Sequence, residues 1–257
     1  MNISLAAEPI FHLGSFSVTN SLLTAFILML GLVALALTFR RRTLAAVPSG
    51  FQNVAEATVE GGLSFMESVT GNRASAIRFF PLVATIFFFV MLSNWFGLLP
   101  GVGSVGLWEV HEGHTVLIPF FRSASADLNG TIAIALVSVF GTQLFGIAAL
   151  GFFKHASKYL NFRALFRHFS FQNVVMLGVG LLELVSEVSR VISFSFRLFG
   201  NVFAGEVLLI VVSALVPYFA PLPFIFLEIF VGVVQALVFS LLTLVFLTIA
   251  TVEHAEH

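Results

Sequence analysis

With 12 Lys and Arg against 13 Asp and Glu in 257 residues, the chain carries a formal net charge of −1 and has no bulk attraction for nucleic acid. Charged residues make up 10% of it, where soluble domains carry roughly 25%, hydrophobic residues make up 58% and mean hydropathy is +1.04. This is the composition of an integral membrane protein with little room for a soluble module, and the absence of cysteine excludes disulfides, thiolate metal sites and cysteine nucleophiles.

Residues 1–18 are mixed in character, with Glu8, Pro9 and His12, and lack the features of a cleaved signal peptide. Residues 22–39 form an apolar run closed by Arg40, Arg41 and Arg42, long enough for a first membrane pass. Residues 50–78 are more polar, with Glu56, Glu60, Glu67, Arg73 and Arg78, and read either as an amphipathic interfacial helix or as a loop. Residues 79–99 give a second pass, interrupted by Asn94 and closed by Pro100 and Gly101. Residues 101–128 are expected to form a solvated loop; its string EVHEGH lacks the i, i+4 histidine pair of a helical metal site, so no metal is expected. Residues 131–153 give a third pass, followed by a basic connector over 154–168.

Residues 172–216 contain no proline and would extend about 67 Å as one helix, twice what a bilayer requires. Either a break hides at Gly178, Gly180 or Gly200, or one helix lies steeply tilted; with no Pro, Asn-Gly or polar cluster to mark a break, the tilted helix is favoured. Pro217, Pro221 and Pro223 make the turn, and residues 224–252 give the last pass. The expected fold is therefore an all-α integral membrane protein, one polytopic domain over residues 1–257. It has about five passes, the last two a hairpin of long tilted helices, plus the interfacial helix. Basic residues concentrate in 40–78 and 154–168, which the positive-inside rule assigns to the cytoplasm, so the N-terminus faces outward and the C-terminus inward.

One stretch departs from the apolar background. In LLELVSEVSRVISFSFRLFGNVFAGE, residues 181–206, the side chains of Glu183, Ser186, Arg190, Ser193, Arg197 and Asn201 recur at spacings of 3, 4, 3, 4 and 4. They fall within roughly 40° of one helix meridian and run for about 27 Å, close to the hydrocarbon thickness of a bilayer. A polar track of that length points to an ion path. Arg197 has no acidic residue three or four positions away, and an arginine at the bilayer centre costs on the order of 3 kcal/mol on insertion scales, so its partner lies elsewhere. The bland alternative is an arginine that snorkels to an interface or pairs structurally with another helix.

On the last helix Glu228 and Gln235 share a face, with Gly232 between them. Glu206 follows Arg197 by nine residues, about 180° round the helix, so the two are not direct partners. Glu206 is instead expected to face Glu228 across the hairpin, where two carboxylates in a water-lined cleft suit a proton relay; the alternative is two unrelated acids at helix ends.

SFRLFGNVFAGE, residues 195–206, resembles the characteristic sequence of the a subunit of F-type ATP synthases. SNWFGLLPG at 93–101, SADLNGT at 125–131, ELVSEVSR at 183–190 and the last helix with Gln235 and VEHAEH occur in that family's order, so the resemblance covers nearly the whole chain. It implies a non-catalytic stator in a bacterial inner membrane, without cofactor, beside a rotating c-ring and peripheral-stalk b subunits. Arg197 matches the arginine that meets the rotor carboxylate and separates two half-channels. Asn201 and Gln235 match polar residues near it, Glu206 an acid of the outward channel, and Glu228 a position held by histidine or glutamate. Glu183, Ser193, Asn94, Asp127 and Asn129 match polar positions along the channels or at their mouths. Gly97 departs from members that carry an aspartate there. The resemblance implies proton translocation, while the rotor carboxylate, not this chain, sets whether the coupling ion is H⁺ or Na⁺.

An ion-coupled secondary transporter is the rival from another class, but it would show an internal repeat and paired broken helices, and neither is present. A membrane hydrolase would need a nucleophile elbow or HExxH, and a voltage sensor a ladder of arginines.

Overall fold

No water reaches the hydrocarbon core of a bilayer, so a spanning segment satisfies its backbone N–H and C=O groups within itself, and long apolar runs become helices. The computed structural model describes residues 7–14, 16–41, 49–111, 114–159 and 171–251. Among the described residues the helices are Asn20–Arg41 (α1), Phe51–Thr70 (α2), Arg73–Gly97 (α3), Leu128–Leu150 (α4), Phe152–Tyr159 (α5), Phe171–Leu215 (α6) and Pro221–Thr251 (α7). Five of them, α1, α3, α4, α6 and α7, are long and apolar enough to cross a membrane. The chain is an all-α integral membrane protein, as its composition predicts.

The helix ends follow from local chemistry. Asn72 caps α3, its Oδ1 accepting from the Ala74 amide at 2.9 Å, so the helix starts six residues before the expected span and takes in Arg73 and Arg78. Helix α2 realises the helical reading of residues 50–78 and ends on Gly71 at φ 69°, whose amide donates to the Glu67 carbonyl. Helix α4 stops at Gly151 and a second helix, α5, opens the basic connector; residues 160–170 of that connector lie outside the described residues. Helix α6 is continuous through Gly178, Gly180 and Gly200, so the reading without a break holds. Pro221 and Pro223, expected in the turn, instead sit in the first turn of α7, where a missing N–H costs nothing.

Two segments form antiparallel hairpins, Pro9–Leu13 (β1) with Phe16–Thr19 (β2) and, where a solvated loop is expected, Gly106–His111 (β3) with His114–Pro119 (β4). Val110, Thr115, Val116 and Ile118 give the second hairpin its β-branched character, and backbone pairing satisfies polar groups that a loop would leave to water. Glu112 and Gly113 of EVHEGH, and the terminal VEHAEH, lie outside the described residues.

Four helices meet in the main core, where Ile86 and Val90 of α3, Ala135 of α4, Phe194 and Leu198 of α6 and Ala236 and Phe239 of α7 are buried together. Phe194 and Phe239 rings lie 4.8 Å apart, tying α6 to α7. A second cluster joins Met66 of α2 to Ala76, Phe79 and Val83 of α3 and Leu244 and Leu247 of α7. Between α4 and α7 the Ser138 and Thr243 hydroxyls are 2.8 Å apart, a polar contact that satisfies both in a dry interface. Arg73 closes α2 onto α3 through Glu60 at 2.7 Å and Glu67 at 3.4 Å.

Candidate ion-translocation site

The polar stripe of α6 divides on folding. Arg190 binds Glu187 at 2.8 Å and lies 3.6 Å over the Phe246 ring of α7, which occupies its charge twice within the chain. Glu183 is half-buried, and Ser186 and Ser193 are exposed. Arg197 is exposed beside Ile192 and Phe196, and its partner among the described residues is the Ser193 hydroxyl at 3.4 Å; no described carboxylate comes within 4.0 Å. Asn201, one turn on, lines a cavity.

That cavity, of about 210 Å³, opens between α3, the segment after β4, α6 and α7. Asn94, Arg122, Asn201, Glu206 and Glu228 supply its polar wall and Gly97 and Gly232 its low floor. Two facts place Glu228 there. Gly205 carries no side chain, and the Glu228 carboxyl occupies the space a Cβ would fill. Helix α7 is held to α3 at this level by Asn94 Nδ2 donating to the Gly232 carbonyl at 3.2 Å and Trp95 Nε1 donating to the Ile229 carbonyl at 3.1 Å. Asn94 Oδ1, fixed in orientation by the first of these bonds, is buried without a protein donor among the described residues.

Glu206 and Glu228 line one cavity, as expected across the hairpin, but the immediate partner of Glu206 is Arg122, from the segment after β4. Arg122 is 7% exposed and donates from Nε at 3.2 Å and Nη2 at 3.0 Å to Glu206 Oε2. Three serines hold its loop in place: Ser123 Oγ donates to the Ser93 carbonyl at 2.9 Å, the Ser125 amide to Ser93 Oγ at 3.1 Å, and Ser125 Oγ to Ser93 Oγ at 3.1 Å. Gly97 permits this approach, since a Cβ there would lie 2.9 Å from the Ser123 Cβ. Sequence spacing gives no signal for this pair, since Arg122 is a lone basic residue three positions before SADLNGT.

Gln235 is buried on α7, and its Nε2 has no partner among the described residues. The pairings Phe194 with Phe239 and Gly205 with Glu228 bracket a register that sets Gln235 level with Leu198, next to Arg197. Asp127 and Asn129 are elsewhere, on a second cavity of about 360 Å³ with Ser17 and Ser21. Asp127 caps α4, its Oδ1 accepting from the Asn129 amide at 3.0 Å, and its Oδ2 accepts from Ser21 Oγ of α1 at 2.7 Å.

An all-α membrane protein with an exposed arginine on a long apolar helix and a charged cavity one turn away has the features suited to moving ions. Comparison with known proteins gives its family. The sequence model described as ATP synthase A chain matches residues 21–248, so the chain belongs to that family. It is 36% identical over 232 residues to ATP synthase subunit a of Campylobacter jejuni subsp. jejuni serotype O:23/36 (strain 81-176), covering 89% of this chain and 90% of that one. Against subunit a of Campylobacter concisus (strain 13826) the identity is 34% over 235 residues, with 90% of each chain covered. Against that of Campylobacter fetus subsp. fetus (strain 82-40) it is 33% over 254 residues, with 98% of each covered. Family and apolar helices together make it a multi-pass protein of the bacterial inner membrane, a membrane-sector component of ATP synthase that is not itself catalytic.

Proposed function

We propose that this chain is the proton-conducting stator of a rotary ATP synthase, one polytopic domain in which Arg197 separates two half-channels and meets the carboxylates of a c-ring. Proton flow is thereby coupled to ATP synthesis or hydrolysis in the catalytic head. The observation that carries the reading is the isolation of Arg197, exposed among Ile192 and Phe196 with a serine as its sole described partner. A charge so placed in hydrocarbon costs on the order of 3 kcal/mol, and a carboxylate presented by a neighbouring chain removes that cost. Such a carboxylate must be neutral while it faces lipid and can be an anion beside Arg197, so each passage releases and takes up one proton. The arginine blocks the short way between the two sides, which gives rotation its direction.

In this reading the cavity with Asn94, Asn201, Glu206 and Glu228 is the outward half-channel. Its volume of about 210 Å³ has room for several waters at roughly 30 Å³ each, and one of them supplies the donor that Asn94 Oδ1 lacks. Gln235 stands at the barrier with Arg197, and Glu183 and Ser193 line the inward route. Asp127 and Asn129 stay outside the path as a helix cap. The N-terminus faces outward and the C-terminus the cytoplasm. The exposed apolar faces of α1 and α2 are left to lipid and to the b subunits of the peripheral stalk.

The test is Arg197→Ala in the complete complex in membrane vesicles, with ATP-driven pumping and passive proton permeability both recorded. Normal assembly with pumping abolished and leak raised is the expected result. Pumping near the unaltered rate would make Arg197 a structural residue and end the stator assignment.

A further inference from the structure

Three consecutive residues of α3 reach two different walls of the cavity. At 3.6 residues per turn neighbouring side chains point about 100° apart, so Ser93, Asn94 and Trp95 fan out from one turn of the helix. Ser93 is fully buried against the segment that carries Arg122: its carbonyl accepts from Ser123 Oγ at 2.9 Å, and its hydroxyl oxygen accepts from the Ser125 amide and the Ser125 hydroxyl, each at 3.1 Å. Asn94 and Trp95 turn to α7, where Asn94 Nδ2 donates to the Gly232 carbonyl at 3.2 Å and Trp95 Nε1 to the Ile229 carbonyl at 3.1 Å. Ile229 follows Glu228 directly, so the indole holds the backbone beside that acid. Gly232 lets the two helices come this close, since a Cβ there would lie 3.2 Å from Asn94 Cβ and 3.4 Å from Trp95 Cδ1.

We propose that Ser93 and Trp95 are positioning residues, one for each wall, and that their shared turn of α3 sets the gap between Glu206 and Glu228. The proposal rests on the half-channel reading above. Neither residue lines the cavity, so each acts through a neighbour. Ser93 fixes the segment whose Arg122 donates twice to Glu206, and Trp95 fixes the turn of α7 that carries Glu228. Loosening either bond moves one acid against the other while the rest of the wall stays where it is. The Trp95 bond is the cleaner case. The Ile229 carbonyl lies inside a continuous helix and has a donor there already, so the indole N–H adds a second one and locates α7 rather than forming it. No bulk water reaches such a helix pair to replace a lost donor, which makes the bond selective for one register.

The test uses the complete complex in inverted vesicles, with ATP-driven proton pumping per assembled subunit as readout and thermal stability in detergent recorded beside it. Trp95→Phe keeps an aromatic ring and loses the N–H, whereas Trp95→His keeps an N–H at the same position of its five-membered ring. Trp95→Phe is expected to assemble normally and pump about tenfold more slowly, and Trp95→His to return to within about threefold of the unaltered complex. Ser93→Ala should lose a similar factor, and Ser93→Thr, which keeps the hydroxyl, should recover it. Ser138→Ala is the control: it removes an equally buried bond between helices, to Thr243, and should change pumping by less than about twofold whatever it costs in stability. Equal rates for Trp95→Phe and Trp95→His, both normal or both low, would show that the hydrogen bond sets nothing and overturn the proposal, as would a loss in Ser138→Ala as large as that in Trp95→Phe. Should Trp95→Phe not assemble, the Ser93 variants decide: recovery by threonine supports the proposal, and no difference between alanine and threonine overturns it. Arg197→Ala run in parallel distinguishes the levels, because survival of pumping there removes the half-channel reading whatever the α3 variants return.

Discussion

The contact between Gly205 and Glu228 gives the sharpest prediction, because it separates stability from transport. A Cβ built on Gly205 overlaps the carboxyl carbon and both oxygens of Glu228, so Gly205→Ala must drive that carboxyl off α6. Ordinary non-bonded separations of about 3.5–4.0 Å require it to retreat by roughly 1 Å or more. The displaced atoms are the far end of a flexible side chain, so the cost is a rotamer adjustment of about 0.5–1.5 kcal/mol. Alanine in a helix interior returns roughly 0.5–1 kcal/mol over glycine, and the net change in stability is close to zero. Transport should respond differently, since a misplacement of about 1 Å in a reacting group can lower a rate by about 10²-fold. The assay is ATP-driven pumping in inverted vesicles, with the amount of assembled subunit measured on the same membranes and Gly178→Ala as the control. Gly178 lies on the same helix, and a Cβ added there would meet nothing within 4 Å. Gly205→Ala should assemble normally and lose about ten- to a hundredfold in rate while Gly178→Ala loses little. Unaltered pumping by Gly205→Ala, or an equal loss in the control, would refute a role for the position of Glu228.

Two further outcomes follow from groups outside that cavity. Asp127→Ala should lower thermal stability in detergent by about 1–2 kcal/mol through loss of the α4 cap, and Asp127→Asn, which still caps, should keep both stability and pumping; a large loss of pumping in the asparagine variant would return Asp127 to the proton path. The hydrogen bond from Arg73 holds the Glu60 carboxyl below its ordinary value of 4.5. A depressed carboxyl stabilises the fold above its unfolded value and loses that contribution as pH falls through the folded one, so the α2–α3 closure should be constant at neutral pH and weaken below about 4.5. Amide exchange in α2 should follow that curve, and Glu60→Gln should flatten it.

The five long helices were legible because each is an apolar run with a composition that lipid requires, and the continuity of α6 was legible from what its 45 residues lack. Helix ends were less so. Arg73 and Arg78 looked like the edge of a span but lie inside α3 behind an asparagine cap, and Pro221 and Pro223 looked like turn residues but open α7. The β3–β4 hairpin escaped because its alternation is short and interrupted by charges. In the site, Arg197, Asn201, Glu206 and Glu228 could be found from helical spacing, a local rule. Arg122 could not, since it stands 84 residues from Glu206 and no periodicity relates positions that far apart. Arg190 misled in the opposite sense: it sits on the polar stripe yet is spent on Glu187, three residues before it, and on Phe246.

What divides the charged residues is whether the chain itself completes them. Arg73 has Glu60 and Glu67, Arg122 has Glu206, and Arg190 has Glu187 and an aromatic face. The pairs of Arg122 and Arg190 are largely buried, where breaking an ion pair is costly, whereas the pairs of Arg73 are exposed and contribute little. Arg197 and Glu228 have no such completion among the described residues, and they lie on facing helices about two turns apart along α6, on either side of Asn201. In the proposed mechanism the exposed cation meets an anion brought by another molecule, and the acid in the cavity takes up a proton. On the stator reading proposed above, a transporter that closed its own circuit would need both partners in one chain, whereas an Arg197 without a carboxylate among the described residues leaves that partner to a neighbouring chain.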